Sequence, residues 1–199
     1  MKMILIGGFL GSGKTSLILQ MARYLAGDPE APASQVVILE NEIGEVSIDD
    51  KVLKEVGFEV ETMFSGCVCC TMSGELVANV CRIRDRLDPD WIIMEASGVA
   101  YPQNIRENLE KTVDMEMCRI FCVADAKRWT RLKRVLEAFI RDQLERADVI
   151  FINKTDEVSE EAADQVEESI RGFWKTAKCF RVSAACGISR SVWEEVFAE

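Results

Sequence analysis

Histidine is missing from all 199 residues of this chain. Any metal site it builds must therefore draw on sulfur and oxygen ligands. Long apolar runs are missing as well, and nothing approaches the roughly 20 residues needed to span a bilayer. The opening "MKMILIGGFL" is a short, glycine-broken apolar stretch without a small-residue cleavage site, so it does not read as a signal peptide. Positive charge is scarce: 24 Lys and Arg against 34 Asp and Glu give a formal charge of −10. That balance argues against a nucleic-acid partner, because neutralising phosphates requires a basic face. No linker, internal repeat or low-complexity segment interrupts the chain. These absences lead us to expect a cytoplasmic protein with no membrane segment.

The length suits one well-cored domain. Eight cysteines in such a chain make a disulfide framework a poor reading, and metal or catalytic use a better one for any that cluster. Apolar runs recur at Met3–Ile6, Val36–Leu39, Trp91–Met94, Ile120–Val123, Val149–Ile152 and Phe180–Val182. Most are hydrophobic throughout, as strands buried on both faces should be. Helical spacing lies between them: Leu17, Ile18, Met21 and Leu25; Leu132, Val135, Leu136 and Phe139; Val166, Ile170 and Phe173; Val192, Val196 and Phe197. Alternating strands and helices predict an α/β domain whose mostly parallel sheet is covered by helices on both faces. "GDPEAPAS", Gly27 to Ser34, reads as a loop. "KRWTRLKR", Lys127 to Arg134, reads as a solvated helix face in preference to a docking patch.

Gly8-Phe9-Leu10-Gly11-Ser12-Gly13-Lys14-Thr15 fits G-x-x-x-x-G-K-[ST] completely, between a buried strand and an amphipathic helix. Glycines let successive N–H groups turn around phosphate oxygens, and the helix N-terminus adds its positive end. Gly8, Gly11, Ser12, Gly13, Lys14, Thr15 and Ser16 are thus candidate triphosphate ligands. Lys14 would reach the β- and γ-phosphates and the Thr15 hydroxyl would hold Mg²⁺. "FINKTD", Phe151 to Asp156, has the N-K-x-D form after a buried strand. The Asp156 carboxylate can accept from guanine N1–H and the exocyclic amine, which adenine does not offer. Asn153 would read the base edge and the Lys154 stem would cover the ring. "VSAA", with Ser183 and Ala184, would close over the other side. The expected ligand is GTP.

Two further segments carry chemistry. "GCVCC" places Cys67, Cys69 and Cys70 together, soft ligands for Zn²⁺, with Co²⁺ or Ni²⁺ as other candidates. Three thiolates with no second pair suit loading and release; buried cysteines or a redox-sensing thiol are the competing readings. Cys122 and Cys179 fall in strand-like runs and read as core. "LENEIGEVSIDD" sets Glu40, Glu42, Glu45, Asp49 and Asp50 just past the second strand, where α/β ligand sites form and where acidic loops are also often merely solvated. Asp49 is a candidate toward the nucleotide and its Mg²⁺. "IIMEASG" repeats the logic: Glu95 leaves a buried strand where a Mg²⁺-linked carboxylate belongs, and Gly98 gives the backbone room near the γ-phosphate.

Taken in order, GGFLGSGKT, ENEIGE, GCVCC, EASG and NKTD resemble the CobW-type metallochaperone GTPases, relatives of the urease and hydrogenase nickel-insertion GTPases. The resemblance implies a SIMIBI-class P-loop domain over residues 1–199, a GTPase with slow intrinsic turnover and delivery of a transition metal to a client metalloprotein. It also implies a nucleotide-dependent homodimer and metal contacts from Cys67, Cys69, Cys70, Glu40 and Glu45. Glu42 and Glu45 are the two candidates to orient the attacking water, and no arginine stands out as a finger. Relatives usually continue into a smaller C-terminal domain, often histidine-rich, that would be absent here or supplied by a separate protein. They also carry an acidic residue where this chain has Tyr101, before Pro102. Two other readings of the same residues are a metal-storage module with a GTP-gated protein interaction, and a thiol redox switch on a P-loop scaffold.

Overall fold

In the computed structural model, the described residues are 1–28, 31, 32, 34–41, 59–63 and 73–198, with backbone alone at 28, 31, 32, 40, 41, 59–63 and 73. Seven strands form one sheet in the order β5-β4-β6-β1-β7-β8-β9, and every adjacent pair is parallel. They are β1 (Lys2–Gly8), β4 (Val36–Asn41), β5 (Glu59–Met63), β6 (Trp91–Glu95), β7 (Met117–Asp125), β8 (Val149–Asn153) and β9 (Lys178–Arg181). The helices are α1 (Lys14–Ala26), α2 (Ser73–Leu87), α3 (Pro102–Thr112), α4 (Trp129–Leu144), α5 (Glu160–Phe173) and α6 (Arg190–Phe197). A two-residue ribbon, β2 (Gly27–Asp28) against β3 (Ala31–Pro32), stands inside the segment read as an irregular loop.

Alternation along each strand divides the core into two layers. Met3 and Leu5 face Leu76, Val80, Leu109, Ile140 and Ile170, from the helices of one side. Ile4 and Ile6 face Leu17, Ile18 and Met21 of α1 and Trp193 and Val196 of α6 on the other. Full burial of such side chains stabilises the fold by roughly 1.5–3 kcal/mol each. This is why the central strands read as continuous apolar runs: neither face meets water. On the α6 side, Tyr24 stacks on Phe197 with centroids 5.6 Å apart, and Trp91 meets the same ring edge-on.

The chain leaves β1, builds β4 and β5 outward, then returns through β6, which lies between β4 and β1. From β7 onward it builds in the opposite direction. The direction of winding therefore changes around β1, and ligand sites of open α/β sheets form outside the carboxyl ends of strands at such a change. The glycine loop leaves β1 there. β6 ends beside it at Glu95, and β7 and β8 end at Asp125 and Asn153.

Candidate nucleotide site

α1 begins without the usual cap. Its N-cap, Gly13, sits at φ 98° and ψ 22°, no side chain bonds the first turn, and that turn holds no acidic residue. α5 shows the ordinary alternative: Ser159 accepts from the Ala162 N–H at 3.3 Å, and Glu160 and Glu161 fill the first turn. The start of α1 therefore keeps its N–H groups and positive end available to an anion. Gly13 tolerates no side chain, since a β-carbon would collide with the Asn153 amide as well as strain the left-handed backbone. Gly98 is needed for close approach: a β-carbon there would lie 2.9 Å from the Leu10 nitrogen. The second acidic motif thus packs directly on the glycine loop.

Lys14 is buried, and its Nζ donates to the Gly8 carbonyl at 3.1 Å while standing 3.5 Å from Glu95 Oε1. Thr15 Oγ1 donates to Glu95 Oε2 at 3.1 Å. A cation, a hydroxyl and a carboxylate from two separated motifs converge on one point. Nearby, the buried Ser12 hydroxyl has no hydrogen-bond partner among the described residues, whereas buried polar atoms nearly always have one. Ser16 lies exposed on the first turn. These groups fit a triphosphate and Mg²⁺: the hard oxygens of Thr15 and Glu95 are the donor type that cation takes, and Ser12 and Lys14 supply hydrogen bonds and charge for phosphate. Bound there, Mg²⁺ would neutralise charge on the transferring phosphoryl group.

The first residue of the N-K-x-D segment also braces the fold. Asn153 is buried, its Nδ2 donating to the Ser12 carbonyl at 2.8 Å and its Oδ1 accepting from the Ala184 N–H at 2.9 Å. Asn153 thus clamps the glycine loop to the Ser183–Ala184 segment, with its second N–H and second oxygen lone pair left for a base. Gln20 of α1 adds a second clamp, donating to the Ala184 carbonyl and accepting from the Ile188 N–H, both at 2.7 Å. Ser183 Oγ accepts from the Cys186 N–H at 3.2 Å. Asp156 lies exposed in a 3₁₀ turn, Thr155–Glu157, and its carboxylate takes no hydrogen bond from a described residue. It is available to a ligand.

Sequence reasoning missed the group that holds the loop from beneath. Asp125, at the end of β7, is fully buried and accepts from Lys154 Nζ at 2.8 Å and from Arg128 Nε at 2.7 Å. Those cations reach onward, Lys154 to the Gly11 carbonyl and Arg128 to the Leu10 carbonyl, each at 2.8 Å. Burial pushes the Asp125 carboxyl up, but the hydrogen bonds from Lys154 and Arg128 outweigh it and hold it below the usual carboxylate range. A depressed folded-state value means stability that is complete above the unfolded value, about 4, and lost as acid protonates the group below it. Asp125→Asn should therefore lower stability at neutral pH by about 2 kcal/mol, discounted because both cations are partly solvated. The same variant should show a flatter loss of stability below about pH 4 in urea titrations across pH. An unchanged acid limb would contradict the assignment.

Gln143 was missed too. It is buried in α4, and its Nε2 donates to the carbonyls of Gly98 (3.0 Å) and Ala100 (3.2 Å), fixing the loop after Glu95. Tyr101, where relatives were expected to have an acid, makes an edge contact with Phe139, which makes another with Phe9 of the glycine loop. That aromatic trio joins both motifs to α4. Cys122 is core as expected, its thiol donating to the Gln143 carbonyl at 3.1 Å and pushed by burial to about 12; Cys118 is likewise pushed to about 12. Cys179 is partly buried.

Glu40 stands opposite Glu95 in the β4–β6 register, at the carboxyl ends of adjacent strands. Glu42, Glu45, Asp49, Cys67, Cys69 and Cys70 lie outside the described residues. Among the described residues, no cluster of three or more acidic or sulfur side chains could hold a metal ion.

The sequence matches the family model for the CobW/HypB/UreG nucleotide-binding domain over residues 2–181. The chain belongs to that family. It is 29% identical over 174 residues to the zinc chaperone YeiR of Escherichia coli K12, covering 86% of this chain and 50% of YeiR. The chain spans about half the length of the curated relatives it matches. Its structure resembles that of the hydrogenase maturation factor HypB from Archaeoglobus fulgidus, with a TM-score of 0.68 and 18% identity over 98% of this chain and 87% of the other. It also resembles the Zn(II)-bound YjiA GTPase of E. coli, with a TM-score of 0.66 and 20% identity over 98% and 61%. At such identities the structural likeness establishes the P-loop GTPase fold. With the CobW/HypB/UreG match, it bears out the resemblance carried by the motifs.

Proposed function

We propose that this protein binds and hydrolyses GTP and uses its nucleotide state to control the binding and delivery of a transition metal to a client metalloprotein. The observation that carries the reading is the strand register that sets Glu40 beside Glu95. Glu95 already meets Thr15 and Lys14, and the chain runs on from Glu40 into the acidic segment and, after β5, into the cysteine segment. A γ-phosphate and a thiolate-bound ion would thus be sensed by neighbouring strand ends. The names of the relatives, a zinc chaperone and a Zn(II)-bound GTPase, make zinc the first ion to test, with cobalt and nickel next.

Lys14 steadies negative charge on the transferring group, Asp156 selects guanine, and Glu42 or Glu45 orients water. The ion itself is cargo, held by Cys67, Cys69 and Cys70 with help from Glu40 or Glu45. One Zn²⁺ per protomer is expected, bound more weakly at low pH because protons compete for sulfur. Replacing the three cysteines with serine should abolish that binding in a competitive chelator titration while leaving the melting transition in place, since the described residues alone pack two extensive core layers. Retained stoichiometric zinc would remove the thiolates from the site. Unfolding would make the metal structural.

A further inference from the structure

The nucleotide site lies at the carboxyl ends of the strands. At the amino ends of β7, β8 and β9 there is a separate cleft of about 410 Å³. Half of the residues that line it are cations: Arg106 from α3, Arg119 from β7, Arg146 from the turn before β8, and Lys178 from β9. Asp148 is the one carboxylate among those lining residues. The chain as a whole carries a formal charge of −10, so this cleft runs against its balance. Gathered cations repel one another and are costly to the fold unless a counter-charge meets them.

The carboxylates nearby do not use these cations up. Asp148 accepts from the Ile120 N–H at 2.7 Å and stands 3.4 Å from Arg106, whose Nε donates to Glu110 at 2.8 Å. Arg106 is therefore matched. Arg146, in the left-handed region at φ 56°, reaches Glu107 only at 3.8 Å. Arg119 has no carboxylate at ion-pair distance among the described residues. It is half-buried, with its guanidinium 4.9 Å from the centroid of the Phe121 ring and Nη1 donating to the Val196 carbonyl at 3.0 Å. Burial pushes it below its usual value, against the attraction of Asp148. Among the described residues, Lys178 meets the Ala198 carbonyl alone, at 3.5 Å.

Arg119 and Lys178 thus help to close the carboxyl end of α6. A guanidinium has five N–H donors and an ammonium three, and each spends one there. The remaining donors belong to two cations that line the cleft. Trp174 makes a fixed wall, its indole N–H donating to the Ala147 carbonyl at 3.0 Å. The volume is that of a small-ligand pocket. A half-buried guanidinium is costly without a counter-charge, and an oxyanion supplies one through charge-assisted hydrogen bonds. One monatomic anion cannot reach cations spread over four elements. An anion with several charged groups can.

We propose that this cleft binds a small polyanion with two or more phosphate or carboxylate groups, held chiefly by Arg119, Arg146 and Lys178. The proposal does not depend on the GTPase reading. Asp148 and Asn153 stand at opposite ends of β8, roughly 16 Å apart along the strand at about 3.3 Å per residue, so the two sites share no residue.

The test is calorimetric titration of pyrophosphate and of citrate into the whole chain at constant ionic strength. At least one of them should bind, and binding should weaken about tenfold or more in Arg119→Gln/Lys178→Gln, which removes two charge-assisted contacts. Pyrophosphate can also enter the glycine loop, so each titration is repeated in Lys14→Ala, where the cleft should keep its anion. The anion that binds more tightly tells whether the natural ligand presents phosphate or carboxylate. Arg146→Gln, an exposed change, should weaken binding several-fold, and it carries the test if the double variant loses its melting transition. No binding of either anion would overturn the proposal, as would binding lost in Lys14→Ala but kept in the double variant or in Arg146→Gln. Tighter binding of a hexaglutamate peptide than of either small anion would also overturn it and give the surface to an acidic protein segment.

Discussion

Lys14→Ala should lower GTP turnover by about two to three orders of magnitude, the usual scale for removing one preorganised charge from a developing anion. The ammonium is buried, shares hydrogen bonds with the Gly8 and Phe9 carbonyls, and stands 3.5 Å from Glu95. Of the other cations near the loop, Lys154 and Arg128 are tied to Asp125. Among the described residues, no other cation is placed to replace it. The variant also removes the positive charge beside Glu95, so affinity for the triphosphate should fall as well. Phosphate release under single-turnover conditions, with a melting curve to show that the fold is intact, checks the expectation. Turnover within a factor of a few of wild type would show that the glycine loop does not carry the chemistry.

Asp156→Asn should exchange guanine for xanthine. Asp156 is exposed at the end of the N-K-x-D segment and takes no hydrogen bond from a described residue. Asp156 is the carboxylate of that segment left open to the donors of a base, so guanine selection is expected to depend on it. Two charge-assisted hydrogen bonds to the guanine edge are each worth about 1.5–3 kcal/mol, so the variant should bind GTP on the order of 10²-fold more weakly. Xanthosine triphosphate, whose C2 carbonyl accepts, should gain. Competition of both nucleotides against a fluorescent GTP analogue separates the outcomes. Unaltered GTP binding would place the base elsewhere.

The fold was legible where burial is symmetric. β1, β4, β6 and β8 are apolar over most of their length, and β7 from Ile120 on, because water reaches neither face there. Their order with the helices between them implied the parallel sheet. Edge strand β9 buries Phe180 but exposes Lys178 and Arg181. β5 was not legible: Glu-Val-Glu-Thr-Met at a sheet edge has no apolar run to betray it. α2 and α3 were missed among their charges. The α4 stripe was misread because a helical period fits more than one face, and the face turned inward includes the polar Gln143. The glycine loop and Glu95 were legible because spacing and position at a strand end express the chemistry directly. Asp125 ends a buried run in the same way as Glu95, so the same logic would have found it had it been applied to "IFCVAD". Gln143 left no signal, because only burial distinguishes it from any helical glutamine. Asn153 was found by its motif, but its bracing of Ser12 and Ala184 was not, since a motif names the residue and not every contact its amide makes.

The central claim is that the nucleotide and the metal are thermodynamically coupled through neighbouring strand ends. Competitive zinc titration of the whole chain, once with GDP and once with a non-hydrolysable GTP analogue, measures it directly. Linkage requires that any factor by which GTP alters zinc affinity equals the factor by which zinc alters GTP affinity. We expect the two states to differ by about 5- to 150-fold, with the same factor recovered in the reciprocal titration, and the difference to shrink in Glu40→Ala and Glu45→Ala. Equal zinc affinities in the two states would contradict the account and leave a GTPase whose metal site does not sense its nucleotide.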